Sequence, residues 1–268
     1  MGAKKYSNDM EIQIVNEYLM GMSTSDLMKK YNFKTRKSVT DKVKKYGYQV
    51  RTSREEVMMN KPYENFSMRV IDSEFKAYFL GLLLTDGYVV NNTVGLDLTD
   101  EDCIQFISST IQKTYKSYER DENRKTRHRL IINNPNLVKD LIRFGVIPNK
   151  TKILDGFMLQ EDEQRYIPYI IRGMIDGDGW VRKDGKEFYI CTASYNMALW
   201  IKQVLENKLY MSEVNIDKAQ GVWQVRTANA HNVDILKILV YDKPFGMKRK
   251  YNKLHSEPSE TIMEYLTC

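Results

Sequence analysis

Cysteine and histidine are scarce in this chain of 268 residues, three of each. Cys103, Cys191 and Cys268 stand far apart with no Cys-x-x-Cys, and His128, His231 and His255 are equally isolated. This excludes a disulfide framework and argues against a zinc centre, and it suits a reducing compartment. Long apolar runs are missing too. The longest, Ala77 to Leu84, gives way to Asp86 well short of the ~18–20 residues that a membrane span needs. The first residues, Met-Gly-Ala-Lys-Lys-Tyr, hold no apolar signal segment, and Tyr6 stands where a myristoylation signal needs Ser or Thr. A soluble, cytoplasmic chain with no membrane partner is the expectation.

Positive charge is unevenly placed. Residues 1–54 hold twelve Lys/Arg against five acids, a net +7, so the other 214 residues carry −1 of the total +6. A basic end of this kind fits a polyanion as partner.

Two stretches then organise the chain. In Ile171-Arg172-Gly173-Met174-Ile175-Asp176-Gly177-Asp178-Gly179, an apolar helical run ends in two carboxylates separated and followed by glycine. A near copy, Phe79-Leu80-Gly81-Leu82-Leu83-Leu84-Thr85-Asp86-Gly87, lies 92 positions upstream. In both, Gly precedes Asp by five residues and Gly follows it. Gly81 and Gly173 would let two such helices pack backbone to backbone, bringing Asp86 and Asp178 to one end of the pair. Each acid would then face a like charge and the negative end of a helix macrodipole. A divalent cation would relieve both penalties. Taken singly, either Asp could simply cap a turn before glycine.

These residues resemble the LAGLIDADG homing endonucleases, over roughly Ser73 to Leu254. The resemblance implies that Asp86 and Asp178 bind the metals, Mg²⁺ with Mn²⁺ able to substitute, together with backbone near Gly87 and Gly179. It also implies a staggered double-strand break in a long DNA target. A basic residue near each metal is typical of the family; Lys150 and Lys250 are the candidates, with Lys152 and Lys248 as neighbours. Leu84 and Thr85 depart from the fuller pattern, whereas the second copy keeps Asp176.

The surrounding pattern repeats as well. Each motif helix is followed by a hairpin, a helix, two strands and a final helix, with repeat two displaced by about 92 to 95 residues. The expected fold class is α+β: a pseudo-two-fold αββαββα duplication forming a DNA-binding saddle, plus a small all-α N-terminal domain. The expected boundaries are 1–52 for that domain, 53–72 for a linker, and 73–160 and 161–268 for the two repeats.

Strand alternation nominates contact residues. Arg127 and Arg129 share one face while Leu130 and Ile132 share the other; Gln224 and Arg226 oppose Trp223 and Val225. Lys116, Tyr118 and Arg120 line up likewise, as do Arg182 and Asp184. Those side chains and Lys218 are the expected DNA contacts in the repeats; an ordinary solvated sheet face is the alternative.

Within 1–52, three helices are expected. The first, Asp9 to Met20, turns Ile12, Val15, Tyr18 and Leu19 inward. The second is capped at Ser23–Asp26, and the third, capped by Thr35, runs to Tyr46. Arg36, Lys37, Lys44 and Lys45 lie on the outer face of the third. The pattern is similar to a helix-turn-helix domain, in which the last helix enters the major groove; a small bundle with a solvated basic face is the alternative. Gln49 to Arg54 would suit an arm tracking phosphates.

The expected function is a monomeric, Mg²⁺-dependent, site-specific endonuclease of double-stranded DNA. The alternatives are an RNA-splicing maturase, with its own intron RNA as partner, and a non-cleaving DNA-binding regulator. An intein is not expected, because the chain starts with Met and lacks flanking splice residues.

Overall fold

The computed structural model describes residues 7–53, 55–56, 62–119, 126–182, 184 and 186–255. The chain divides into two compact units, 1–65 and 66–268.

The first unit holds α1 (Asn8–Leu19), α2 (Thr24–Lys30) and α3 (Lys37–Lys45). The Ser7 and Ser23 hydroxyls accept from the amides of Met10 and Asp26, satisfying first-turn donors of α1 and α2. Gly21 and Gly47 follow α1 and α3 at φ 105° and 81°, where a side chain would be strained. Ile14, Tyr18, Leu27, Val39 and Val43 form the core. The inward face of α1 differs from the expectation: Ile12 and Leu19 are exposed, and Ile14 and Glu11 are buried instead. Two α3 side chains, Lys42 and Lys45, pair with Glu11 at 3.3 and 2.5 Å, so charge from α3 sets which side of α1 is covered. Thr35 does not cap α3; Arg36 holds that position without a side-chain bond, and Thr35 Oγ1 lies 3.2 Å from Ser38 Oγ. Nor is Arg51 part of an extended arm. Its guanidinium lies 3.7 Å from the Tyr18 ring centroid and donates to the Met22 carbonyl.

The second unit is built on α4 (Glu74–Thr85) and α7 (Ile167–Asp178). Ser73 caps α4, and Pro168 sits in the first turn of α7, where its missing amide costs nothing. Every residue of α4 from Ala77 to Leu84 is buried, which explains its lack of a polar stripe. After α4 come β1 (Gly87–Val90), β2 (Thr93–Leu98), α5 (Glu101–Ile111), β3 (Lys116–Tyr118), β4 (Arg127–Asn133) and α6 (Pro135–Leu141). After α7 come β5 (Gly179–Val181), β6 (Phe188–Thr192), α8 (Tyr195–Asn207), β7 (Asn215–Ala219), β8 (Val222–Thr227) and α9 (Ala230–Ile235). The two antiparallel sheets share one topology, β1-β2-β4-β3 and β5-β6-β8-β7. The α+β duplication is therefore real at the level of strand order.

Three differences have physical causes. Residues 66–72, expected as linker, pack onto the second unit: Met68 and Ile71 are buried, and Asp140 accepts from the Ser67 hydroxyl and the Met68 amide. Leu199, expected inside, is exposed, while Met197, Ala198, Ile201, Val204 and Leu205 face inward. An added helix, α10 (Lys248–His255), is too polar for its periodicity to reveal it.

Candidate active site at the paired helix ends

Glycine fixes how α4 and α7 meet. A Cβ on Gly81 would overlap the Ile170 carbonyl oxygen and stand 2.8 Å from Gly173 Cα. A Cβ on Gly173 would overlap the Tyr78 carbonyl oxygen and stand 2.9 Å from Gly81 Cα. The approach is thus reciprocal, backbone against backbone. It carries Asp86 and Asp178 to the same end: Asp86 Oδ2 lies 2.9 Å from where a Cβ of Gly177 would be.

Asp86 closes α4, its amide bonded to the Leu82 carbonyl at 2.9 Å, and is half-buried; Asp178 is the last residue of α7 and is open to solvent. Burial, and then the charge of Asp178, push the Asp86 carboxyl up to about 6. Asp178 reaches solvent, yet the protein packed around its carboxyl still desolvates it enough to raise it, opposed by Lys150 and Lys250. Both acids are therefore held where their own charge is disfavoured.

Two buried lysines stand at this end. Lys150 Nζ donates to the Thr85 carbonyl at 3.2 Å, and Lys250 Nζ donates to the carbonyls of Asp176 and Gly179, each at 2.8 Å, and of Ile175. Among these, the Thr85 and Asp176 carbonyls lie in the last turns of α4 and α7, at the negative ends of the two helices. Burial pushes the Lys250 ammonium down to about 8, and it lowers Lys150 against the pull of Asp178 and Asp86. Lys152 and Lys248 are exposed. Of the backbone expected near the metals, at Gly87 and Gly179, the Gly179 carbonyl accepts from Lys250 and Gly87 lies in the β1–β2 ladder opposite Leu96.

Asp176 has a different place. It is fully buried and accepts from Tyr78 Oη at 2.8 Å, Tyr241 Oη at 2.6 Å and the Met247 amide at 3.1 Å. One turn earlier, buried Arg172 donates to the Phe245 carbonyl, its guanidinium 3.7 Å from that residue's ring centroid.

On the open sheet faces, each central arginine meets an acid. Asp97 accepts from Arg129 and Tyr118 and lies 3.7 Å from Arg127; Glu187 pairs with Arg182 at 3.3 Å and Arg226 at 3.0 Å. Alternation identified the arginines but not these partners. Asp97 lies between buried Leu96 and Leu98, which was the available signal. Gln224 shares the face of Arg226, and Lys116 is exposed on the edge strand. Lys218, expected among these residues, falls on the opposite face: it is in register with Trp223 and its ammonium lies 5.2 Å from that ring centroid. A period of two assigns it there. Arg120 lies outside the described residues. In the first unit Arg36, Lys37, Lys44 and Lys45 are exposed on α3.

Among the described residues, no helix is long and apolar enough to cross a membrane. Among the same described residues, no group of three or more His, Cys, Asp or Glu is placed to hold a metal.

No protein-family model matches the chain. One curated relative, the DNA-directed RNA polymerase subunit Rpo1C of Methanocaldococcus jannaschii, is 28% identical over 127 residues, 46% of this chain and 14% of that protein. The chain thus spans a small part of that relative. Among solved structures, full-length DUF199/WhiA from Thermatoga maritima is similar at TM-score 0.47 and 8% identity, over 77% of this chain and 69% of that one. The LAGLIDADG meganuclease I-AabMI bound to uncleaved DNA gives 0.46 and 12% over 73% and 92%. I-DmoI in complex with DNA and Mn gives 0.42 and 16% over 62% and 96%.

Proposed function

We propose that the protein is a site-specific endonuclease of double-stranded DNA, acting as a monomer whose two repeats serve one strand each. The supporting observation is the end of the α4–α7 pair, where two carboxylates and two buried lysines converge at glycine-fixed helix ends. Asp86 and Asp178 supply hard oxygen donors suited to Mg²⁺ or Mn²⁺, with phosphate oxygens and water completing the coordination. A bound divalent ion would polarise the scissile phosphoryl group, activate water and stabilise the leaving 3′ oxygen. The raised Asp86 carboxyl fits this reading, because a cation removes the penalty that burial and Asp178 impose.

Lys150 and Lys250 add positive charge beside the phosphates and hold the helix-end carbonyls in place. Arg127, Arg129, Arg182, Gln224, Arg226 and Lys116 offer donors to base edges and phosphates from the sheets. The α3 residues Arg36, Lys37, Lys44 and Lys45 would extend the footprint as the groove-entering helix of a helix-turn-helix.

The test is a cleavage selection on a randomised duplex library with Mg²⁺. Recovery of one cut site, lost in Asp86→Asn and Asp178→Asn while binding persists, is the expected result. Site-specific binding without any cut would replace this reading with the non-cleaving regulator, and activity in an intron-splicing assay alone would favour the maturase.

A further inference from the structure

The two repeats hold their lysines by unequal means. In the second, the segment 241–247 crosses α7 and leads into α10, which carries Lys250. Asp176 grips this segment at both ends, taking the Tyr241 hydroxyl on Oδ1 and the Met247 amide on Oδ2. Arg172 takes the Phe245 carbonyl between them. Beyond the segment, the Lys248 amide donates to Asp102 at 2.9 Å and Arg249 pairs with Asp100 at 2.5 Å, tying the start of α10 to α5 of the first repeat. Lys250 then reaches three carbonyls at the end of α7. In the first repeat, 92 residues earlier, Leu80 and Leu84 stand where Arg172 and Asp176 are, and Lys150 makes one such bond.

We propose that Asp176 is the positioning residue for Lys250: its carboxylate latches the 241–247 strap to α7 and so delivers the lysine to the site, a device the first repeat lacks. A carboxylate is needed rather than an apolar side chain, because three donors converge on it within a buried space, where any of them left unpaired would be costly. Asp176 touches no reacting group. Its backbone carbonyl accepts from Lys250 Nζ, a bond that Asp176→Leu keeps, so it is the side chain that acts through the segment ending in Lys250.

The test has two arms. The first is independent of any nuclease activity: amine acylation of the intact protein at fixed pH, with modification of each lysine read by mass spectrometry. Lys150 and Lys250 are both buried and should both be protected. Asp176→Leu, which installs the first repeat's residue, should raise Lys250 labelling by about tenfold, as local opening of the strap becomes easier, with Lys150 unchanged. Tyr241→Phe, a milder variant that keeps the fold, should shift Lys250 in the same direction. If Lys250 stays protected in both variants, or if Lys150 rises in step, the proposal is overturned. The second arm rests on the nuclease reading and follows the two strands separately. Asp176→Leu should slow one strand about 10- to 100-fold, and the effect should vanish in a Lys250→Ala background. Equal slowing of both strands, or full additivity with Lys250→Ala, would overturn the positioning role. Absence of cleavage in the unaltered protein would overturn the nuclease reading and leave the labelling arm to decide the latch.

Discussion

Asp97 accepts two hydrogen bonds from Arg129, its direct partner across the β2–β4 ladder, at 3.1 and 2.8 Å. Burial raises the Asp97 carboxyl, but the bonds from Tyr118 and Arg129 and the charge of Arg127 outweigh it, and the group titrates below the usual carboxylate range. The arginines of this sheet are thus held by Asp97 and partly neutralised. Asp97→Ala should free them. Binding to random duplex should tighten and its salt dependence steepen by about one counterion per arginine released, while discrimination between target and random DNA falls. Titrations of both duplexes across a salt series measure this.

Asp86→Asn should abolish cleavage, by about three orders of magnitude, since metal-ion charge stabilisation contributes several kcal/mol to such transition states. Without metal, the same variant should be the more stable protein, because the native carboxylate opposes both its burial and Asp178. The gain should be on the order of 1 kcal/mol, reduced from the full shift because the group is only half-buried. Melting in EDTA and a cleavage time course read the two effects.

The acid and lysine shifts together give a pH profile. The Asp86 carboxyl titrates at about 6 in the folded chain, above its ordinary value, so its neutral form favours folding. Metal-free stability should fall as pH rises from about 4 to about 6, and Mg²⁺ should restore it by binding the ionised form. Cleavage at limiting Mg²⁺ should rise through the same interval. It should decline above about 8 as Lys250 loses its charge. A flat rate between pH 5 and 9 would contradict the assignment of both groups.

Gly81→Ala and Gly173→Ala should each destabilise the second unit by about 2 kcal/mol or more, because the added methyl meets backbone, which cannot rotate away. Denaturant titration of each variant checks this.

Much of this was legible in the sequence because it rests on periodicity and on a duplicated motif. The glycine contact and the two acids at one helix end follow from spacing, and the order of helices and strands along each repeat follows from periodicity, whereas Lys150 and Lys250 come from the family resemblance alone. What escaped depends on a partner distant in the chain. Ile12 and Leu19 fit an inward face of α1 as well as Ile14 does, until Lys42 and Lys45 of α3 claim Glu11. Asp97 and Glu187 acquire their arginine partners only once the strands are paired. Asp176 stands two residues from a site acid, yet its partners Tyr78 and Tyr241 lie 98 and 65 positions away.

The reciprocal contact of Gly81 with Gly173 also acts as a ruler. Backbone meeting backbone admits no sliding, so the axial offset of α4 against α7, and with it the spacing of Asp86 and Asp178, is a constant of the chain. In a nuclease built this way, changes on the sheets alter which sequence is chosen, but the overhang left behind keeps the same length. Selectivity is free to drift while the shape of the product is inherited unchanged.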